Sequence, residues 1–83
     1  MINTPIIELD VHGKTADEAI SAIDDMLEKC GNGVYTIKVI HGFNRGTAIK
    51  DAIRQEFGYG YGKVKRIKPG ENQGITELIL KEL

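Results

Sequence analysis

The chain has 83 residues, 41% of them apolar and 28% charged, and a net charge of −1. A chain of this length holds one small core and buries only about 60% of the surface its unfolded form exposes, so an active site on it is shallow or shared. Its composition excludes a disordered or fibrous polymer, no apolar run approaches the ~20 residues of a membrane span, and the single cysteine excludes an intrachain disulfide. With no basic or apolar leader at Met1–Pro5, the expectation is one cytoplasmic domain over residues 1–83.

The first predicted element is a strand over residues 6–11, with Ile7, Leu9 and Val11 on one side and Glu8, Asp10 and His12 on the other. His12-Gly13-Lys14 breaks it. Thr15-Ala16-Asp17-Glu18 is a capping box, in which the Thr15 hydroxyl caps the N3 amide and Glu18 reaches back. The helix that follows places Ala19, Ile20, Ile23, Met26, Leu27 and Cys30 on one stripe, and Gly31-Asn32-Gly33 ends it. Cys30 closes that apolar stripe and reads as a small buried hydrophobe rather than an activated thiol.

Residues 34–40 are rich in β-branched side chains and predict a second strand. A glycine-bounded loop, His41 to Gly46, leads into a helix over residues 47–57, where Ala48, Ile49, Ala52, Ile53 and Phe57 recur at helical spacing. Residues 63–68 and 75–81 predict two antiparallel strands joined by the loop Pro69 to Gly74. The expected fold is α/β: a β-α-β-α-β-β two-layer sandwich, with a mixed four-stranded sheet and two helices on one face. The first two strands are parallel, as a right-handed crossover requires, and the pattern leaves the strand order open.

Charge is unevenly distributed along the chain. Residues 1–33 hold two Lys against seven Asp and Glu, a balance of −5. Residues 34–70 hold eight Lys and Arg against two acids, a balance of +6, and residues 71–83 hold one Lys against three Glu, a balance of −2. A +6 block in a nearly neutral chain can form a basic patch for a polyanion, or be ordinary solvated faces.

The residues with chemical potential gather at one predicted edge. Asp10 and His12 end the first strand on a shared side, where a carboxylate can orient an imidazole or share its proton. His41 ends the second. Parallel strands finish at the same rim, where open α/β sheets bind ligands, and each histidine is followed at once by a glycine, Gly13 or Gly42. Either histidine alone could be a strand-end residue bonded to backbone; the two with Asp10 favour function. Gly42 and Gly46 flank a turn before a helix N-terminus, whose amides and dipole attract anions. Arg45 can clamp a phosphate there, with Lys50 and Arg54 further along the helix. No Gly-Lys-Ser/Thr follows, so this is not a P-loop. Tyr59 and Tyr61, beside Lys63, Lys65, Arg66 and Lys68, could stack on unpaired bases or cover the edge of the core. Two histidines without local ligand spacing argue against a dedicated metal site.

Leu9-Asp10-Val11-His12-Gly13 resembles the Leu-Asp-Leu-His-Gly motif that opens the Smr (small MutS-related) domain family. Val39-Ile40-His41-Gly42 resembles the start of that family's His-Gly-x-Gly-x-Gly motif, and Gly74-Ile75-Thr76-Glu77-Leu78 its closing strand. The resemblance runs from Ile7 to Leu83 and implies a fold similar to the C-terminal domain of translation initiation factor three. It implies an endonuclease that nicks DNA or cleaves RNA, with the ribosome or a larger repair complex as partners. Asp10, His12 and His41 would be catalytic, with Gly13, Gly42, Asn44, Arg45, Gly46, Lys50, Arg54 and Lys65 holding nucleic acid. Asn44 stands where the family has its middle glycine, and Thr47 reads as one extra residue before Ala48-Ile49.

On RNA, two imidazoles suffice as general base and acid because the 2′-hydroxyl is the nucleophile. On DNA, Mg²⁺ or Mn²⁺ is the natural activator. The alternative is a module that binds nucleic acid or protein without cutting. The order of the two histidines and the oligomeric state are left open.

Overall fold

Ile7, Val11, Ile37, Val39 and Leu78, all buried, line one face of a sheet, and the buried faces of two helices close over them. The structure is a computed structural model that describes residues 2–43 and 46–82. Its elements are β1 (Ile6–Asp10), α1 (Ala16–Lys29), β2 (Thr36–Ile40), α2 (Ala48–Phe57), β3 (Arg66–Pro69) and β4 (Ile75–Ile79). The expected β-α-β-α-β-β order is present, as is the mixed four-stranded sheet. β1 pairs parallel with β2, while β4 pairs antiparallel with both β2 and β3. The strand order is β1-β2-β4-β3: the last strand inserts at the centre and leaves β3 at the edge.

α1 begins where its capping box predicts. Thr15 Oγ1 accepts from the Glu18 amide at 3.1 Å, and Glu18 Oε1 accepts from the Thr15 amide at 2.9 Å. These bonds satisfy two amides that the first turn would otherwise leave unpaired, and they hold the Glu18 carboxyl below its usual pKa. Ala19, Ile23 and Leu27 carry the buried stripe into the core, where Ile53 and Phe57 of α2 meet them. Cys30 is buried past the end of α1, and desolvation pushes its thiol pKa up.

Three strand boundaries differ from expectation. β2 starts at Thr36 rather than residue 34, because the Val34 amide turns back to the Gly31 carbonyl. β3 starts at Arg66 rather than residue 63. Tyr61 and Val64 exchange amide–carbonyl bonds of 2.9 Å in a tight turn, so Val64 is buried in that turn and not in a strand. β4 ends at Ile79 rather than residue 81, since the Leu80 and Lys81 amides leave the ladder for the Tyr35 carbonyl.

Among the described residues no helix covers the opposite face of the sheet. A row of alternating charge runs across it, Glu8–Lys38–Glu77–Lys68, in register on four adjacent strands. Lys38 also binds Glu71 at 2.8 Å, which raises the lysine pKa and lowers that of the carboxyl.

Candidate active site

β1 and β2 end side by side, and the chain continues from each into a His-Gly pair. The last ladder bond, from the Val11 amide to the Ile40 carbonyl, is 2.9 Å long. Beyond it Gly13 and Gly42 adopt φ of +81° and +75°, a region that disfavours any side chain by about 1–2 kcal/mol. The two turns lie against each other: a Cβ built on Gly42 would sit 3.7 Å from His12 Cβ. Both histidines therefore reach one rim, where His12, Gly13, His41, Gly42, Gly46 and Lys50 are among the residues lining a cavity of about 400 Å³.

The two histidines sit in different surroundings. His12 has a side chain 70% exposed, with Nδ1 2.5 Å from Asp10 Oδ1. The same carboxylate oxygen accepts the His12 backbone amide at 3.1 Å. These hydrogen bonds, that to the imidazole foremost, hold the Asp10 carboxyl below its ordinary pKa. They also hold the ring by Nδ1, and Nε2 has no hydrogen-bond partner among the described residues. The bond needs the two-residue spacing along the chain, and the His12 amide bonded to the same Asp10 oxygen holds the backbone in place for it.

His41 is only 7% exposed. Its Nδ1 lies 2.8 Å from the Gly42 carbonyl, which can only accept, so Nδ1 carries a hydrogen and donates it. Its Nε2 lies 2.9 Å from Thr76 Oγ1 on β4. Both ring nitrogens are thus bonded to protein, and His41 can exchange a proton with a substrate only by giving up one of these bonds. Its backbone is pinned as well: the His41 and Gly42 amides both donate to the Gly74 carbonyl, at 2.9 and 3.0 Å. Gly42 shapes the cavity, but its N–H is already used.

The anion-attracting groups at the rim come from α2. Thr47 makes no side-chain cap to the helix; its hydroxyl instead donates to Asp51 Oδ2 at 2.9 Å. The first-turn amides of α2 have no intrahelical acceptor, and Gly46, Ala48, Ile49 and Lys50 line the cavity. Asn44 and Arg45 lie outside the described residues. Arg54 faces a neighbouring groove rather than this cavity, and Lys65 lines neither.

Much of the +6 block is committed elsewhere. Lys38 pairs with Glu71, Arg66 with Glu82, and Lys68 more loosely with Glu77 at 3.7 Å. Lys63 Nζ donates to the carbonyls of Leu27 and Cys30 at 2.9 and 2.8 Å, capping the C-terminus of α1. Tyr61 packs edge-on against Phe57, with ring centroids 5.7 Å apart, and so covers the core. Sequence reasoning missed Phe43, an aromatic 56% exposed on the cavity lip. The signal available was its place directly after His41-Gly42. Among the described residues no three His, Cys, Asp or Glu converge on a metal position. Asp10 and His12 offer the rim two donors, too few for a cage built from protein alone.

A family model for the Smr domain matches residues 9–75. The chain belongs to the Smr domain family. The matched span opens at Leu9 in β1, closes at Ile75 in β4, and so encloses the whole rim described above. Comparison with curated proteins and with solved structures returns no significant match.

Proposed function

We propose that this Smr domain binds nucleic acid at the His12 rim and cleaves a phosphodiester there. The observation that carries the reading is the Asp10–His12 pair opening on a cavity shared with Lys50 and the uncapped start of α2. Asp10 orients the ring, and His12 Nε2 moves the proton. On RNA, Nε2 takes the proton of the 2′-hydroxyl as that oxygen attacks phosphorus; the P–O5′ bond breaks to leave a 2′,3′-cyclic phosphate, and water protonates the departing 5′-oxygen. Lys50 and the first-turn amides of α2 hold the charge that develops on the phosphoryl oxygens. His41 positions the loop through Gly42 and Thr76. On DNA the attacking group is water, and the substrate phosphate would supply ligands for Mg²⁺ or Mn²⁺ that the protein does not.

The test is a gel cleavage assay with labelled single-stranded RNA and with nicked and branched DNA, each in Mg²⁺, Mn²⁺ or EDTA. Wild type cuts and His12→Ala does not, with a loss of roughly 10²–10⁴-fold. Cleavage in EDTA identifies imidazole chemistry. Equal cutting by both proteins sinks the catalytic reading. The second reading is a binding module, favoured by one observation: both nitrogens of His41 are occupied, which leaves a single free imidazole. Its signature is a native-gel shift by both proteins with no product.

A further inference from the structure

A second groove adjoins the first. It lies between α2 and the β3–β4 hairpin, encloses about 470 Å³, and shares Lys50 with the His12 cavity. The wall between the two is the His41–Thr76 hydrogen bond, with His41 lining one side and Thr76 the other. The groove exists because β3 is the edge strand and α2 stops short of covering it. Ile67 is half-buried and Pro69 exposed on the helix side of the sheet, and the two make an apolar floor. Lys50 and Arg54 stand over that floor one helical turn apart. Neither has an ion-pair partner among the described residues, whereas Lys38, Arg66 and Lys68 each have one.

We infer that this groove is a second nucleotide subsite, which takes the unpaired nucleotide next to the one whose phosphate lies against His12. The inference rests on the nucleic-acid reading above and adds the strand's path. An apolar floor under two free cations suits a flat base with a phosphate on its rim. The volume falls in the range of small-ligand pockets. Lys50, common to both chambers, holds the phosphate between them. A base can enter only if it is not paired, so the protein selects single strands, loops or frayed ends over a closed duplex. Phe43 marks the ridge on the hairpin side. A Cβ built on Gly74 would come within 3.0 Å of the Phe43 ring, so the glycine lets the ring lie against the hairpin at the cavity lip. There it can stack on the base that leaves the first chamber.

The test is amide-resolved NMR titration of the labelled full chain, with four probes: adenosine monophosphate, a single-stranded RNA pentanucleotide, the DNA strand of the same sequence, and a blunt DNA duplex. The mononucleotide shifts Gly13 and Gly46 only. The RNA or the DNA strand shifts these together with Ile67 and Gln73, and the two arms show which sugar is accepted. By fluorescence anisotropy, Arg54→Ala weakens pentanucleotide binding roughly 5–10-fold, lowers the salt slope by about 0.7, and leaves mononucleotide binding unchanged. Arg54 is exposed, so the variant folds, and its Tm checks this. Strand-induced shifts at Gly13 without shifts at Ile67 and Gln73, or equal shifts from the duplex, overturn the second subsite while the His12 reading stands. No shift at either place overturns both.

Discussion

The Asp10 carboxylate and the His12 imidazole lie two residues apart, and the imidazole perturbs the carboxyl. Asp10 titrates low because its ionised form accepts two hydrogen bonds from His12, from ring and backbone. His12→Ala removes the ring bond, so the Asp10 pKa rises toward the ordinary carboxylate value of about 3.9. A ¹³C-detected titration of the side-chain carboxyl reads this directly, and an unchanged midpoint contradicts the pairing. A carboxyl whose folded pKa is depressed stabilises the fold above its unfolded pKa, and that contribution fades as pH falls through the lower folded value. The stability gap between wild type and Asp10→Asn is therefore present at pH 7 and closes below about pH 4. It is small, because the pair is exposed and screened. His41 behaves differently, as a brace. Thr76→Val keeps the shape and deletes the partner of Nε2, which costs about 1 kcal/mol and lowers Tm by roughly 4–8 °C. Cleavage should survive within a few fold. A collapse of activity with Tm unchanged would instead make His41 the acid or base and Thr76 its tuner.

At the scale of elements, features set by neighbouring residues could be read from the chain, and features set by distant ones could not. The capping box of α1 needs only Thr15 and Glu18, and both bonds are present. The His-Gly rim follows from two strands and a parallel crossover. The short β3 was not legible: Val64 and Ile67 fall on opposite sides of a strand over Lys63 to Lys68, a pattern that fits a strand apolar on both faces as well as a turn. What decides is the Tyr61–Val64 turn and the apolar core that Val64 enters. The central place of β4 was equally hidden, since it depends on β2 offering a free edge on the side away from β1. Lys63 shows the consequence for function. In the sequence it belongs to the basic block, yet the fold carries it to carbonyls 33 and 36 residues away. Those carbonyls end α1, where the helix dipole favours a cation. Lys63→Ala should accordingly lower stability by about 1–2 kcal/mol and leave affinity for nucleic acid untouched. Urea denaturation and anisotropy on the same variant separate the two effects. Weaker binding at unchanged stability would return Lys63 to the interface.

For the whole molecule, the question is which side a polyanion approaches. Net charge is −1, so long-range attraction is weak and binding depends on where unpaired cations stand. On the open face of the sheet, positive and negative side chains alternate across all four strands and largely cancel. On the helix side, Lys50 and Arg54 have no acidic partner among the described residues; Lys50 borders both cavities and Arg54 the second. The molecule spans 34 × 22 × 20 Å, so a strand on one face stays distant from the other on the scale of the Debye length, about 8 Å in physiological salt. Each phosphate neutralised on a single strand adds about 0.7 to the slope of log affinity against log salt. Lys50→Ala should thus flatten that slope by about 0.7 and weaken binding at low salt. Lys38→Ala, on the open face, removes the same charge from the chain and should change neither. If net charge governed binding, the two variants would behave alike. Anisotropy at a series of salt concentrations distinguishes a local footprint on the helix side from a diffuse field.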